Sequence, residues 1–207
     1  MTALLETCEL TCVKDDRVLF EGLNLALNSG QILLVEGQNG SGKTSLLRIL
    51  TGLNLPESGD VLWQGVTISE VGADYYEQVN YIGHHDGIKR DLTCLENLRL
   101  VQAMGKPLPI SLDDALEKVN LLRFGDNFVA TLSAGQKRRL ALARLVVTEA
   151  KLWIMDEPFT SLDKASMAMF QQMFEAHLMA GGVIVLTSHH DIEMPDCDVQ
   201  RLNLSEP

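Results

Sequence analysis

Apolar and polar residues alternate in short stretches over the first third of the chain, with turn-forming residues between them. The pattern predicts strands at VLF, LNLAL and QILLVEG (residues 18–20, 23–27 and 31–37). DD precedes the first of them, and NSG separates the other two, so turns are expected at these points. SLLRILTGL (45–53) has helical spacing, and DVLWQ (60–64) returns to a strand pattern. The order predicted here is strand, turn, helix, strand.

The spacing is helical from about residue 92 to residue 150. LTCLENLRLVQAM comes first, Ser111 is placed as the N-cap of LDDALEKVNLL, and SAGQKRRLALARLVVTEA follows. KLWIM and VIVLTS then predict two more strands around one further helix, which Gly181 and Gly182 close. We therefore expect one α/β domain over residues 1–207, with an inserted helical subdomain at approximately residues 85–150.

Composition narrows the classes of function. The 207 residues are 46% hydrophobic and 22% charged, and 17 basic against 28 acidic residues give a net charge of −11. A negative net charge disfavours direct binding to nucleic-acid phosphates or to anionic lipid without a partner. The apolar runs are far shorter than the ~20 residues of a membrane span, and MTALLETCELT carries acids where a secretory signal has basic residues. We expect a cytosolic chain that partners hold at any membrane where it works.

GQNGSGKT, residues 37–44, matches the phosphate-binding loop pattern G-x-x-x-x-G-K-[ST]. It follows an apolar strand and opens a helix, which is the context that this loop requires. The glycines let backbone N–H groups point inward at a phosphate chain, Lys43 reaches the outer phosphates, and the Thr44 hydroxyl can ligate Mg²⁺. The predicted nucleotide-binding residues are Gly37, Gln38, Asn39, Gly40, Ser41, Gly42, Lys43, Thr44 and Ser45.

KLWIMDEP places Asp156 and Glu157 at the carboxyl end of a buried strand. Ligands of parallel sheets bind at that edge. Asp156 is placed to hold Mg²⁺ through water, and Glu157 to accept a proton from the water that attacks the γ-phosphate. Such an acidic pair alone is as often a surface turn, but its combination with a phosphate loop favours catalysis.

LSAGQKRR, residues 132–139, separates this chain from other phosphate-loop proteins, since it resembles the signature motif of ATP-binding cassette (ABC) ATPases. SLD at 161–163 matches the D-loop of that family, and His189 in LTSHHD matches its switch histidine. The resemblance covers nearly the whole chain. It implies a P-loop NTPase fold of ABC type, with a mixed or parallel sheet core and the inserted helical subdomain.

The resemblance also implies cofactors and partners. ATP and Mg²⁺ would bind, with Glu157 and His189 as catalytic residues and Thr44 and Asp156 at the metal. A head-to-tail homodimer would bring the signature residues Ser133, Ala134, Gly135 and Gln136 to the nucleotide of the other protomer. Integral membrane subunits would hold the chain at the cytoplasmic face of the bacterial inner membrane.

Four of the five histidines lie in two His-His-Asp triplets, in YIGHHD and SHHDI. In the family, the strand matched by VNYIG leads into a loop whose glutamine touches metal and nucleotide, and that Q-loop position falls on His84. Whether His84 contacts Mg²⁺ stays open, and the clustered His and Asp side chains leave a separate Zn²⁺ site as an alternative. His85, His190 and the two aspartates are interpreted as solvated loop residues.

Two other departures qualify the family pattern. Ala134 replaces the first glycine of the signature, and its methyl is small enough that we expect activity to survive. No Phe, Tyr or Trp precedes Phe20, and the position of the adenine-stacking aromatic falls near Val13 and Lys14. We therefore expect loose discrimination between bases.

The chain also resembles, more narrowly, the ATP-binding subunits of bacterial cytochrome c maturation haem exporters. The features that carry this resemblance are the short length, the missing aromatic and the stretches YIGH, LTCLENL, LSAGQ and LWIMDEPFTSLD. This narrower resemblance implies ATP hydrolysis coupled to haem delivery or release, with no haem ligand in this chain. The alternative is the ATPase of another ABC transporter, of small exporter, lipoprotein-release or importer type. An ABC protein acting on ribosomes or DNA is disfavoured because the chain holds one cassette and is acidic.

Overall fold

The computed structural model describes residues 3–188, 194 and 197–205, and its strands form two sheets. The strands are β1 (Leu5–Lys14), β2 (Arg17–Leu27), β3 (Gln31–Glu36), β4 (Ser58–Trp63), β5 (Val66–Thr67), β6 (Val79–Ile82), β7 (Leu152–Met155), β8 (Val183–Thr187) and β9 (Asp198–Asn203). One sheet has the order β6-β7-β8-β3-β9 and is parallel throughout. The other has the order β2-β1-β4-β5 and is antiparallel. The predicted mixed α/β architecture is confirmed.

Seven α-helices connect these strands within the described residues. They are α1 (Lys43–Leu50), α2 (Ile68–Val71), α3 (Ala73–Glu77), α4 (Cys94–Met104), α5 (Leu112–Lys118), α6 (Ala134–Ala143) and α7 (Lys164–Met179). Three short 3₁₀ turns lie at Leu122–Phe124, Val129–Thr131 and Arg144–Val146. None of these helices is long and apolar enough to span a bilayer.

The amino-terminal strands differ from the prediction in two ways. The polar-rich stretch LETCELTCVK was not predicted as a strand, yet it forms β1, and VLF and LNLAL are parts of the one strand β2. Gly22 lies between them at φ 62°, and its N–H donates to the Thr11 hydroxyl at 3.2 Å, beside register shifts in the β1–β2 pair. Strand β2 therefore continues through Gly22, which the sequence alone suggested as a turn, because the pairing with β1 is irregular there.

The middle strands of the parallel sheet, β7, β8 and β3, are buried on both faces, which explains their continuous apolar runs. On β3, Ile32 and Leu34 pack with the helical side of the molecule, and Leu33 and Val35 pack with α1 and the antiparallel sheet. β7 and β8 alternate in the same way. Two cores thus hold the middle strands rigidly, and with them their carboxyl ends.

Residues 94–146 are mostly helical, as the spacing predicted, but the last helix is shorter than expected. Ser111 caps α5 by accepting a hydrogen bond from the Asp114 N–H at 3.0 Å. The helix that begins after Ser133 ends at Ala143, and residues 147–150 lie outside it. The β-branched run Val146, Val147 and Thr148 explains the early end, because such residues crowd the preceding turn of a helix.

His177 on α7 stacks on Trp153 of β7 at the amino-terminal edge of the parallel sheet. The ring centroids are 3.7 Å apart and the planes differ by 8°. The Nε2–H of His177 donates to the Lys151 carbonyl at 3.2 Å. Burial lowers the pKa of His177 from its ordinary 6.5 to about 4, although this hydrogen bond and one to the Val183 backbone oppose the shift.

The His177 pKa predicts a loss of stability in mild acid. The unfolded chain takes up this proton near pH 6.5 and the folded chain only near pH 4, so the free energy of unfolding falls as the pH drops between those values. After a discount for the ring's partial exposure we expect ~1 kcal/mol between pH 7 and pH 5, or about 2–4 °C in melting temperature. His177→Gln should reduce this dependence, and exposed His85→Gln should leave it unchanged. Equal pH profiles for wild type and His177→Gln would contradict the assignment.

Candidate functional site

The loop after β3 turns sharply into α1 at the carboxyl edge of the parallel sheet. Gly37, Gly40 and Gly42 have φ values of 142°, 83° and 103°, which side chains rarely tolerate. Helix α1 begins with the Leu46 N–H donating to the Gly42 carbonyl at 2.8 Å. The first N–H groups of a helix have no carbonyl partner within it, so this turn presents free donors to an anion.

Lys43 lies almost buried behind this loop, 9% exposed. Its ammonium donates to the carbonyls of Gly37 at 2.6 Å and Gln38 at 3.0 Å. The cation therefore sits within the loop that it closes. Oxygens of a bound phosphate chain would be stronger partners for it than neutral carbonyls.

Asp156 follows β7 directly and joins two neighbouring elements through its carboxylate. Its Oδ2 accepts from the Thr44 hydroxyl at 2.7 Å, and its Oδ1 accepts from the Thr187 hydroxyl at 2.7 Å. The residue is 3% exposed, so both hydrogen bonds compensate for removing a carboxylate from water. The phosphate loop and the acidic pair, far apart in sequence, are thus brought together.

Glu157 lies beside Asp156 on a backbone turned into the left-handed region, with φ 52°. Its N–H donates to the Thr187 hydroxyl at 2.9 Å. Thr187 ends β8 and so serves both acids of the pair. Sequence analysis missed it, although a threonine at the end of a buried strand beside the matched switch histidine is a usable signal.

A cavity of about 450 Å³ lies in front of these groups. Most of the predicted nucleotide and acidic residues line it, with His84. The lining residues are Lys14, Leu19, Asn39, Gly40, Gly42, Lys43, Thr44, Ser45, His84, Asp156, Glu157 and Thr160. Gly37, Gln38 and Ser41 shape the loop behind it, and His189 lies outside the described residues.

His84 is exposed, and its ring meets that of His85 edge-on at a centroid distance of 5.5 Å. Across the described residues, no group of three or more His, Cys, Asp or Glu side chains is placed to hold a metal ion by itself. Asp86 differs from the prediction of a solvated residue, because it pairs with Arg138 at 3.0 Å. In the first triplet, His84 therefore lines the cavity and Asp86 pairs with the buried Arg138.

The signature residues lie away from this cavity, at the start of α6. Ser133 and Gln136 form a capping box: the Ser133 Oγ accepts from the Gln136 N–H at 3.3 Å, and the Gln136 Oε1 accepts from the Ser133 N–H at 2.8 Å. Ser133 and Ala134 are exposed, and Gly135 and Gln136 are half-buried. The structure thus presents this helix start at the surface without bringing it to the nucleotide loop of its own chain.

Comparison with known proteins agrees with this geometry. The sequence profile of the family described as ABC transporter matches residues 20–160. A cytochrome c biogenesis ATP-binding export protein of Methylococcus capsulatus is 47% identical over 95% of this chain and 95% of its own length. Its counterpart in Nitrosospira multiformis is 45% identical over 97% and 98%. The chain therefore belongs to the ABC transporter family, among the cytochrome c biogenesis ATP-binding export proteins.

Solved structures share the fold of this ABC protein. An ABC transporter ATP-binding protein from Pyrococcus furiosus superposes with a TM-score of 0.82 at 25% identity, covering 97% of this chain and 96% of the other. A dimeric ATP-binding cassette in a post-hydrolysis state with ADP and phosphate superposes with a TM-score of 0.79 at 21% identity, covering 90% and 88%. The second likeness supports the fold alone.

Gly135 of this ABC protein makes the close approach that its signature helix requires. A Cβ there would lie 2.8 Å from the carbonyl oxygen of Ser161, the first residue of the SLD segment. Ser161 itself has φ 65°. The start of α6 and the SLD segment therefore touch backbone to backbone within one chain.

We expect Gly135→Ala to displace the SLD segment, whereas exposed Ala134→Gly leaves it in place. Overpacking should destabilise the first variant by ~1–3 kcal/mol and reduce ATP hydrolysis by roughly 10- to 100-fold through misplacement. Melting temperature and turnover measured on both variants check this. If the two variants behave alike, the Ser161 contact does not constrain the helix.

Where an aromatic ring would stack on adenine, the cavity is lined by the aliphatic parts of Lys14 and Leu19. Lys14 and Leu19 line the cavity beside the phosphate loop, and among the described residues no Phe, Tyr or Trp does so. Stacking on an aromatic ring is worth ~1–3 kcal/mol per base. Within the described residues, the cavity therefore offers no aromatic ring for adenine to stack on.

We expect GTP to compete with ATP within about tenfold, because the side chains of Lys14 and Leu19 can pack on either purine. Displacement of a fluorescent ATP analogue by each nucleotide measures this ratio. A discrimination of about 10³-fold, or roughly 4 kcal/mol, would show that other residues read the base.

Proposed function

We propose that this chain is the ATP-hydrolysing subunit of an ABC export complex of cytochrome c biogenesis, with haem as the transported group. The observation that carries the proposal is the 2.7 Å hydrogen bond that joins Thr44 of the phosphate loop to Asp156, with Glu157 on the same cavity. Full-length similarity to cytochrome c biogenesis export proteins supports the transport process. The whole of residues 1–207 acts as one nucleotide-binding domain, with residues 85–150 approximately as its helical subdomain.

ATP binds with its phosphates in the loop of residues 37–45. The Lys43 ammonium exchanges the two loop carbonyls that it contacts for β- and γ-phosphate oxygens. Backbone N–H groups of Gly40, Gly42 and Lys43 donate to the same phosphates. An acidic protein thereby holds a polyanion through local donors despite its net charge of −11.

The residues at the end of β7 and the start of α1 fit Mg²⁺. The Thr44 hydroxyl and the Asp156 carboxylate supply oxygens, which this cation prefers, and they already lie within hydrogen-bonding distance of one another. When bound with ATP, Mg²⁺ neutralises phosphate charge. His84 lines the same cavity and can contact either the metal or the nucleotide.

Hydrolysis uses Glu157 as the base that takes the proton of the attacking water. The Thr187 hydroxyl holds the Glu157 N–H and the Asp156 carboxylate together, so it fixes the separation of the two acids. His189, two residues after Thr187 in the sequence, acts as the switch histidine. Thr187 thus positions this edge of the site.

A second protomer completes the site. The surface position of Ser133 and Ala134 supports a head-to-tail dimer in which Ser133, Ala134, Gly135 and Gln136 of one protomer meet the nucleotide of the other. Integral membrane subunits hold the dimer at the cytoplasmic face of the inner membrane. These subunits carry the haem, so this chain needs no haem ligand.

Glu157→Gln tests the proposed base. We expect hydrolysis to fall by ~10²- to 10⁴-fold, the range for removing a general base, while ATP binding persists. Exposed Glu117→Gln on α5 is the matched control and should keep wild-type turnover. Near-normal hydrolysis by Glu157→Gln would refute the role of Glu157.

The same variant tests the transport process in cells. A strain whose only copy carries Glu157→Gln should fail to accumulate c-type cytochromes, as measured by haem staining, while Glu117→Gln supports them fully. Normal c-type cytochromes together with lost ATPase activity would assign the protein to another ABC transporter.

A further inference from the structure

Helix α6 carries a buried arginine whose contacts reach both edges of the nucleotide site. Arg138 is 4% exposed and lies between the end of β7 and the loop after β6. Its Nε donates to the Pro158 carbonyl at 3.0 Å, and its Nη2 donates to the carbonyls of Asp156 at 2.9 Å and Glu157 at 2.7 Å. One side of the guanidinium thus contacts three successive carbonyls of residues 156–158, which we call the acidic turn.

The remaining nitrogen faces the loop that contains His84. Nη1 of Arg138 donates to the Gly83 carbonyl at 3.3 Å and to the Asp86 carboxylate at 3.0 Å. Gly83 and Asp86 flank His84 and His85, so the pair of histidines is held at both ends by one side chain. A planar guanidinium with five donors can make this set of bonds, whereas an ammonium with three cannot.

These bonds fix the backbone that orients Glu157. A left-handed residue such as Glu157, at φ 52°, persists only where its surroundings hold it. The carbonyls before and after that torsion belong to Asp156 and Glu157, and both accept from Arg138. If the guanidinium is removed, the turn loses the donors that hold its carbonyl directions.

We propose that Arg138 is a positioning residue that makes hydrolysis at Glu157 depend on both the His84 loop and the placement of α6. The same helix begins at Ser133 with the signature residues, so a shift of α6 moves Arg138 and, through it, the backbone of the acidic pair. The proposal rests on the proposed function, because it assumes that Glu157 is the base. Asp86 is the group through which the His84 loop acts on Arg138.

The neighbouring arginine provides a matched control. Arg139 is on the same helix, but its Nη1 donates to the carbonyls of Val119 at 3.1 Å and Asn120 at 3.2 Å, within the helical segment. Neither carbonyl belongs to a residue that lines the cavity. A change at Arg139 therefore alters the charge and packing of α6 without touching the acidic turn.

The test compares Arg138→Lys, Arg138→Gln and Arg139→Gln in the full-length protein. For both Arg138 variants we expect kcat to fall by about 10- to 100-fold, as for a misplaced reacting group. The Kd for ATP should stay within about threefold, because Arg138 does not contact the phosphate loop. Arg139→Gln should lower kcat much less than either Arg138 variant, because its guanidinium bonds to the Val119 and Asn120 carbonyls and not to the acidic turn.

Asp86→Asn isolates the link to the His84 loop, since it removes the charge and keeps an oxygen acceptor. We expect a fall in kcat of about 3- to 10-fold at unchanged ATP affinity. Because both residues act through one set of bonds, Asp86→Asn should have no further effect when added to Arg138→Gln. Additive effects would overturn the coupling.

Other outcomes also decide the proposal. A lowered melting temperature with wild-type kcat per folded protein would reduce Arg138 to a structural residue, and a raised Kd with unchanged kcat would make it a binding residue. If Arg138→Gln does not fold, Arg138→Lys and Asp86→Asn carry the test, and wild-type kcat in both overturns the proposal. Wild-type activity in Glu157→Gln would instead overturn the proposed function, so the two failures are distinguishable.

Discussion

The carboxylate of Asp156 accepts one hydrogen bond from Thr44 and one from Thr187, and these two bonds tie three parts of the parallel sheet together. Thr44 belongs to the helix after β3, Asp156 follows β7, and Thr187 ends β8. Strand β8 lies between β7 and β3, so the bonds span the middle of the sheet at its carboxyl edge. A buried carboxylate is tolerated only when it is paired in this way. The site and the strand order therefore depend on each other.

Two buried cations, Lys43 and Arg138, are positioned by backbone that this arrangement fixes. Lys43 is held by loop carbonyls, and Arg138 is held by the carbonyls of the turn that continues from Asp156. Each is almost buried, and each contacts backbone that the sheet fixes from behind. The result is a site whose acids and cations are in place within one chain, while its signature residues face outward from the start of α6.

Sequence analysis could predict the parts of the site that depend on local order. GQNGSGKT between a strand and a helix, and two acids after KLWIM, place Lys43, Thr44, Asp156 and Glu157 at one sheet edge because parallel strands share that edge. Family resemblance predicted the sheet core and the ATP-binding class. His189 lies outside the described residues, so its role stays a prediction.

The rest depends on contacts between segments that no local pattern connects. β1 was missed because its polar residues lie on a ladder with register shifts, so its alternation is irregular. Arg138 in the basic run KRR resembles a solvated residue until the fold brings residues 83–86 and 156–158 to it. Likewise, the need for glycine at position 135 arises from the Ser161 carbonyl, 26 positions further along the chain.

We propose that each site is built by Asp156 and the phosphate loop of one protomer and completed by the signature helix of another. A structure of the Glu157→Gln protein with ATP and Mg²⁺ tests this directly. We expect a head-to-tail dimer in which Lys43 of one protomer and Ser133 of the other both contact the same γ-phosphate. Nucleotide-saturated protein in which Ser133 meets no phosphate, or meets that of its own chain, would contradict it.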